Sequence, residues 1–242
     1  MLPDAQASTG RLARTPPALK VAVAGSGLLL ALSLPPWPWD LAVLLAALAA
    51  AFLWAQLPAR LFLGWLALAF GFLAASALAL ALSLSPDFPW LTLSSESVLQ
   101  AGLVSLRAMA ASSWMIWLAL TTPAQHLAWL IKRLPGLEVL SELMLLIHRQ
   151  LVLLMQTAQD MRRAQAARLG YRDVGHSLRS LGTLSAALLP RALARAERME
   201  IGLAARNLDA ATLPFQEPPR AAPLFLLLIA CVDGVLLIWA LS

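Results

Sequence analysis

Residues 61–85 read LFLGWLALAFGFLAASALALALSLS, a run without one charged side chain. A bilayer core takes about 20 apolar residues per helix, and this stretch is long enough to cross one. The whole chain points the same way. Its 242 residues are 60% hydrophobic and only 13% charged, where a soluble domain carries roughly 25% charged residues. Mean hydropathy is +0.74. A soluble globular domain of this size could not hide so much apolar surface, and the same composition excludes a disordered chain. The sequence therefore predicts an integral membrane protein.

Four further apolar runs flank this one. They cover 21–34, 41–57, 98–120 (interrupted only by Arg107) and 222–241 (interrupted only by Asp233). Trp37, Trp39 and Trp90 stand at run ends, where interfacial aromatics belong. The expected fold class is an all-α integral membrane protein with five transmembrane helices. Arg and Lys ahead of the first run resemble a secretory signal, but a small-residue cleavage pattern is missing and Pro-Trp-Pro-Trp follows, so the first helix is read as uncleaved.

Of the eighteen Lys and Arg residues, all but Arg107 lie on one side of these runs. Arg11, Arg14 and Lys20 precede the first, Arg60 separates the second from the third, and thirteen fall between Lys132 and Arg220. The loops around 35–40 and 86–96 hold none. Positive-inside logic places the N-terminus, the second loop and the long insert in the cytoplasm, and five spans then put the C-terminus outside. The expected layout is an N-terminal tail and helices 1–4 over 1–131, a cytoplasmic module over 132–220, and helix 5 over 221–242.

The insert holds thirteen basic and eight acidic residues, and also apolar residues at helical spacing. Leu140, Leu143, Met144, Ile147, Leu151, Leu154, Met155, Ala158 and Met161 recur at three- and four-residue steps, between Pro135-Gly136 and Gly170. A short helix over 176–181 and a third over about 184–207 are expected next, with Pro190 kinking the third or marking its first turn. Two readings of the insert stay open on periodicity alone. One is a membrane-surface domain whose arginines touch lipid headgroups; the other is a docking platform offering a leftover apolar stripe to a partner.

Catalytic patterns are missing. No nucleophile elbow, Walker A loop, dinucleotide fingerprint or His-Glu-x-x-His is present. Cys231 is the single cysteine, and His126, His148 and His176 lie far apart in sequence, so neither a disulfide framework nor a local metal cluster is expected. Arg107 and Asp233 are too few for a proton relay. They are expected at similar depth, either as a pair or each snorkelling or facing another subunit, since an unpaired charge in the bilayer costs roughly 2.5–3.5 kcal/mol. Gly64, Gly71 and Ala75, with Ala74 and Ala77, are expected to let a neighbouring helix approach the third span closely.

Residues 161–171, MRRAQAARLGY, resemble the first arginine signature of the transmembrane T component of energy-coupling factor (ECF) transporters, and 191–207, RALARAERMEIGLAARN, resemble the second. The family writes both as Ala-Arg-Gly; here the triplets are Ala167-Arg168-Leu169 and Ala205-Arg206-Asn207. Thr121-Thr122-Pro123, Lys132 and Leu134-Pro135 also look like the family pattern. The run from Arg168 to Arg172, Ser180-Leu-Gly and the Arg-Ala-Glu-Arg stretch are most similar to the cobalt branch, CbiQ. Gly170 is expected to supply the helix cap that Leu169 tolerates poorly.

The resemblance implies a non-catalytic scaffold that joins two cytoplasmic ATPases to a membrane substrate-binding subunit of the cobalt (or nickel) type, with a small accessory membrane subunit as a further partner and the bilayer as its solvent. It implies a bacterial inner-membrane location and no nucleic-acid partner. Arg168 and Arg206, with Ala167 and Ala205, become the ATPase-coupling residues. No cofactor or metal is expected on this chain, because ATP and Mg belong to the ATPase subunits. Alternatives are a T component for a vitamin and a non-transport membrane anchor that docks a soluble partner. The loop of ordinary ABC permeases is rejected, because Gly170 and Leu189-Pro190 are too far apart for it.

Overall fold

The computed structural model describes the backbone of residues 12, 15–35, 37–84, 91–93, 95–205, 231 and 234, and their side chains outside 80–96. The fifth apolar run, Arg206, Asn207 and Asp233 lie outside the described residues. Seven α-helices are described: α1 (Pro17–Ser33), α2 (Trp39–Ala49), α3 (Ala59–Ala81), α4 (Ser95–Thr121), α5 (Ala124–Lys132), α6 (Glu138–Ala167) and α7 (Val174–Ala204). The described residues form two compact units, one within Met1–Leu127 and one within Ala128–Glu217.

Prolines set the boundaries of the first unit. Pro17 opens α1 at a position where its missing N–H costs nothing, and Pro35 forces Leu34 into an extended conformation that ends it. α2 runs on into a single π turn, Ala50–Trp54, and Gln56 then turns the chain with φ of 49°. Two helical stretches, Ala59–Ala79 and Ser97–Thr121, are long and apolar enough to cross a membrane, while α1 and α2 are shorter apolar helices. The described residues are otherwise helical, with one short exception. Leu82–Leu84 and Leu91–Leu93 pair as antiparallel strands with Leu82 opposite Leu93; their Leu-Ser-Leu and Leu-Thr-Leu alternation has the two-residue period of a strand.

α4 is the centre of this unit, packed on α1, α2 and α3. The shorter helices turn small residues inward, Ala24, Gly27 and Ala31 on α1 and Ala47 with Ala51 from α2 and its π turn. Against them α4 sets Trp114 and Trp117, whose rings meet edge to face at 5.9 Å, and Trp54 stacks on Trp117 at 5.5 Å. Close approach of small against large is how helices gain packing energy when no water is expelled between them. Gly27 is one place where only glycine fits, because a Cβ there would overlap the Trp114 indole.

Two polar ties cross the same unit. Lys20 Nζ donates to the carbonyl of Thr121, the last residue of α4, at 2.8 Å, so a cation sits on the negative end of that helix. Arg107 on α4 donates through Nη2 to the Leu34 carbonyl at 2.6 Å, and its Nε lies 3.5 Å from Oδ2 of the fully buried Asp40. Asp40 stands in the first turn of α2, where a helix N-terminus favours a carboxylate. Arg107 therefore has a partner in Asp40, because α2 brings the acid at its start against the middle of α4; Asp233, the partner expected from the sequence, lies outside the described residues.

α3 buries Phe62 and Leu66 and leaves most of its circumference uncovered. Gly64 and Gly71 have no other heavy atom within van der Waals reach of a Cβ, and Ala75 is exposed. These small residues meet no neighbouring helix among the described residues.

Asp40→Ala is expected to lower the stability of the detergent-solubilised protein by about 3 kcal/mol, the scale of a stranded intramembrane arginine. The double variant with Arg107→Ala should lose clearly less than the sum of the two single variants in thermal melts. Strictly additive losses would mean that the two side chains do not interact.

Candidate functional site

The second unit is built around α6 and α7, which pack along each other. α6 matches its expected limits. α7 corrects the two-helix expectation for 176–207, since one helix runs from Val174 to Ala204 with Pro190 inside it. Asp173 caps its start, accepting from the His176 amide at 2.7 Å. Pro190 and Ala186, whose carbonyl loses its usual donor, are both exposed, so water replaces the lost bond and the helix continues.

The first signature lies at the tip of this hairpin. Ala167 is the last residue of α6 and Arg168 its C-cap. Leu169 takes φ of 58°; its amide bonds the Ala166 carbonyl at 3.0 Å and the Gly170 amide bonds the Gln165 carbonyl at 2.9 Å. That is the Schellman pattern of a left-handed cap. Leu169 itself, and not Gly170, occupies the left-handed position, in spite of a strain of roughly 1–2 kcal/mol for an L-residue there. Gly170 is needed for a different reason. A Cβ on it would come within 2.7 Å of Ser180 Oγ and 2.9 Å of the Gln165 carbonyl oxygen, and Ser180 Oγ donates to the Gly170 carbonyl at 2.7 Å.

Gln165 ties the tip together. Its Nε2 donates to the Ser180 carbonyl at 3.0 Å and to Thr183 Oγ1 at 3.1 Å, both on α7, and its Oε1 accepts from the Tyr171 hydroxyl at 2.8 Å. The Arg162 guanidinium lies over the Tyr171 ring at 5.8 Å. Sequence reasoning missed Gln165, because its partners are fifteen and eighteen residues away and nothing local marks it. Its place three residues before the signature arginine was the available signal.

The tip is strongly charged. Arg168 is exposed and makes no ion pair or side-chain hydrogen bond among the described residues. By contrast Arg172 reaches Asp173 at 3.5 Å and Arg163 reaches Asp160 at 3.4 Å. The His176 amide and then its imidazole, with Nδ1 2.8 Å from Oδ2, hold the Asp173 carboxyl below the usual carboxylate range. A depressed value means the cap is at full strength above the ordinary carboxylate range and weakens as pH falls through the folded-state value. Leu169, Val174 and Leu178 are 66–78% exposed around the same tip. Ala205, the C-cap of α7, is exposed as well; the second signature arginine follows it, outside the described residues.

Among the described residues no group of three or more His, Cys, Asp or Glu side chains could hold a metal ion. Apolar helices joined to a basic helical hairpin define a membrane protein. The family of cobalt transport proteins, CbiQ, matches residues 10–213. The chain is 37% identical over 234 residues, 97% of its own length and 95% of the relative's, to the cobalt transport protein CbiQ of Rhodobacter capsulatus. It is 31% identical over 146 residues to CbiQ of Salmonella typhimurium, covering 56% of this chain and 65% of that one. An uncharacterized protein of Methanocaldococcus jannaschii is 32% identical over 134 residues, 55% of this chain and 50% of the relative. The chain belongs to the CbiQ family and is a membrane component of cobalt transport.

Leu169→Gly is expected to raise the stability of the purified chain by about 1 kcal/mol, since glycine removes the left-handed strain at some cost in chain entropy. Gln165→Ala should lower it by about 1–3 kcal/mol, because Tyr171 and the Ser180 carbonyl lose their partner. Thermal melts of the full chain measure both. Destabilisation by Leu169→Gly would contradict the cap geometry.

Proposed function

We propose that this chain is the energy-coupling T component of an ECF-type cobalt importer. It has five transmembrane helices, a cytoplasmic N-terminus and an external C-terminus, and the coupling module stands between the fourth and fifth helices in a bacterial inner membrane. Two cytoplasmic ATPases bind ATP and Mg, and a membrane substrate-binding subunit, with a small accessory membrane subunit, binds the metal. Their closure on ATP moves the module, and the module moves the substrate subunit. The observation that carries this reading is Arg168, exposed at a helix end that Gln165 braces, with its guanidinium unclaimed among the described residues. A planar fork suits bidentate pairing with a carboxylate on an ATPase, and a braced end transmits force where a loose one would absorb it. Arg206 is its counterpart for the second ATPase. The apolar stripe of α6, with Leu140, Leu143, Ile147 and Leu151 about half exposed, and the small-residue face of α3 are surfaces for membrane partners. Cobalt is favoured over a vitamin as cargo because the full-length relative is a cobalt transport protein.

Arg168→Ala and Arg206→Ala are each expected to reduce ATPase co-purification and radioactive cobalt uptake. Truncating an arginine paired with a desolvated acid costs roughly 2–5 kcal/mol. The double variant should abolish both readouts with membrane insertion intact, and lysine at either position should rescue only in part. Full retention and full uptake in the double variant would refute the coupling role. Separately, Gly71→Leu with Ala75→Leu should cut co-purification of the substrate subunit severalfold while the ATPases stay bound, since close helix approach needs small side chains; unchanged co-purification of that subunit would rule this face out.

A further inference from the structure

Away from the hairpin tip, α6 and α7 enclose a groove of about 520 Å³ lined by Leu146, Arg149, Gln150, Leu153, Arg195, Arg198, Met199, Gly202 and Leu203. Its composition is one-sided, with three arginines, four large apolar side chains and no acid. None of the three arginines has an ion pair among the described residues. The acids nearest along that face of α6 are already engaged, Glu142 with Lys132 at 3.2 Å and Asp160 with Arg163. Glu197 and Glu200 on α7 are exposed and do not line the groove. Gln150 Nε2 points at Met199 Sδ, 2.9 Å away, while its buried Oε1 has no hydrogen-bond partner among the described residues.

We propose that this groove binds an anionic glycerophospholipid: the phosphate on the forks of Arg149, Arg195 and Arg198, a headgroup hydroxyl on Gln150 Oε1, and part of an acyl chain along Leu146, Leu153, Met199 and Leu203. Planar guanidinium groups take phosphate oxygens bidentately, and the apolar floor has no match in a free phosphate ion. A lipid is favoured over an acidic protein segment by the chain's own layout. α6 begins shortly after the end of an apolar helix long enough to cross a membrane. Between them Arg133 stacks on Trp129 at 4.0 Å, a pairing of interfacial aromatic and cation typical of the headgroup layer. A lipid held here would join the module to the bilayer without any contact to the ATPases, and this binding is independent of the coupling role.

The test uses the full chain in nanodiscs of mixed phosphatidylglycerol and phosphatidylcholine, with bound lipid read by native mass spectrometry after release. Wild type should retain phosphatidylglycerol over phosphatidylcholine. Arg149→Gln with Arg195→Gln and Arg198→Gln should lose that preference by tenfold to a hundredfold, given the typical contribution of a basic residue near an anionic headgroup. Arg60→Gln with Arg179→Gln and Arg191→Gln, an equal change of charge away from the groove, should keep it. Leu153→Glu, which leaves every arginine in place, should weaken retention as well and carries the test if the triple variant does not fold. Equal losses from the groove and control triples would reduce the effect to net charge and overturn the proposal. Full competition by glycerol phosphate at millimolar concentration would assign the site to a soluble phosphate. Retained phosphatidylglycerol together with lost ATPase binding would assign it to an acidic partner surface, and either outcome overturns the lipid site.

Discussion

Arg107 holds the membrane unit to a single arrangement. A guanidinium on an apolar helix is costly unless its charge is met. Here the end of α1 supplies a carbonyl and the start of α2 a carboxylate. Three helices are thereby fixed at one level. The tryptophans of α4 then settle against the small residues of α1 and α2, and Gly27 is where that approach is closest. At the opposite end of α4, Lys20 closes its last carbonyl from α1. Dispersion between a tryptophan and a flat helix face acts over short range and needs close approach; the polar ties hold the faces where that packing is gained.

The second unit meets a different demand. α6 and α7 are long helices with few large buried side chains, so their apolar stripes alone do not fix the geometry of the tip. Gln165, Tyr171 and Ser180 supply that, through hydrogen bonds that join the end of one helix to the second turn of the next. The same contacts make the left-handed conformation at Leu169 tolerable. Strain of this kind persists only where the surroundings over-determine it, and here the strained residue follows directly after the exposed Arg168.

The two units differ in how charge is used. In the first, the charges of Lys20, Arg107 and Asp40 are turned inward and spent on the chain itself. In the second, Arg149, Arg168, Arg195 and Arg198 have no acid partner among the described residues, which leaves them for molecules outside the chain. This division separates an apolar unit whose charges are paired internally from a basic hairpin whose arginines stay exposed or line a groove.

The amino-acid sequence by itself determined the class of protein, because apolar runs, their flanking charges and the signature at 161–171 are properties of consecutive residues. The start of α6 follows from Pro135-Gly136, whereas its left-handed cap falls on Leu169 and not on the expected Gly170, and the apolar alternation at 82–84 and 91–93 carried a strand signal that the surrounding helical runs outweighed. Tertiary structure alone decided which acid meets Arg107, since Asp40 is 67 residues away in sequence and ordinary for a helix start. It also decided that α7 passes through Pro190 unbroken, because the freed carbonyl faces water. Gln165 was illegible for the same reason as Asp40: its role lies in bonds to residues on another helix. Side chains separated by many turns acquire a meaning only when packing brings them together, whereas periodicity and capping act within a few residues of their cause.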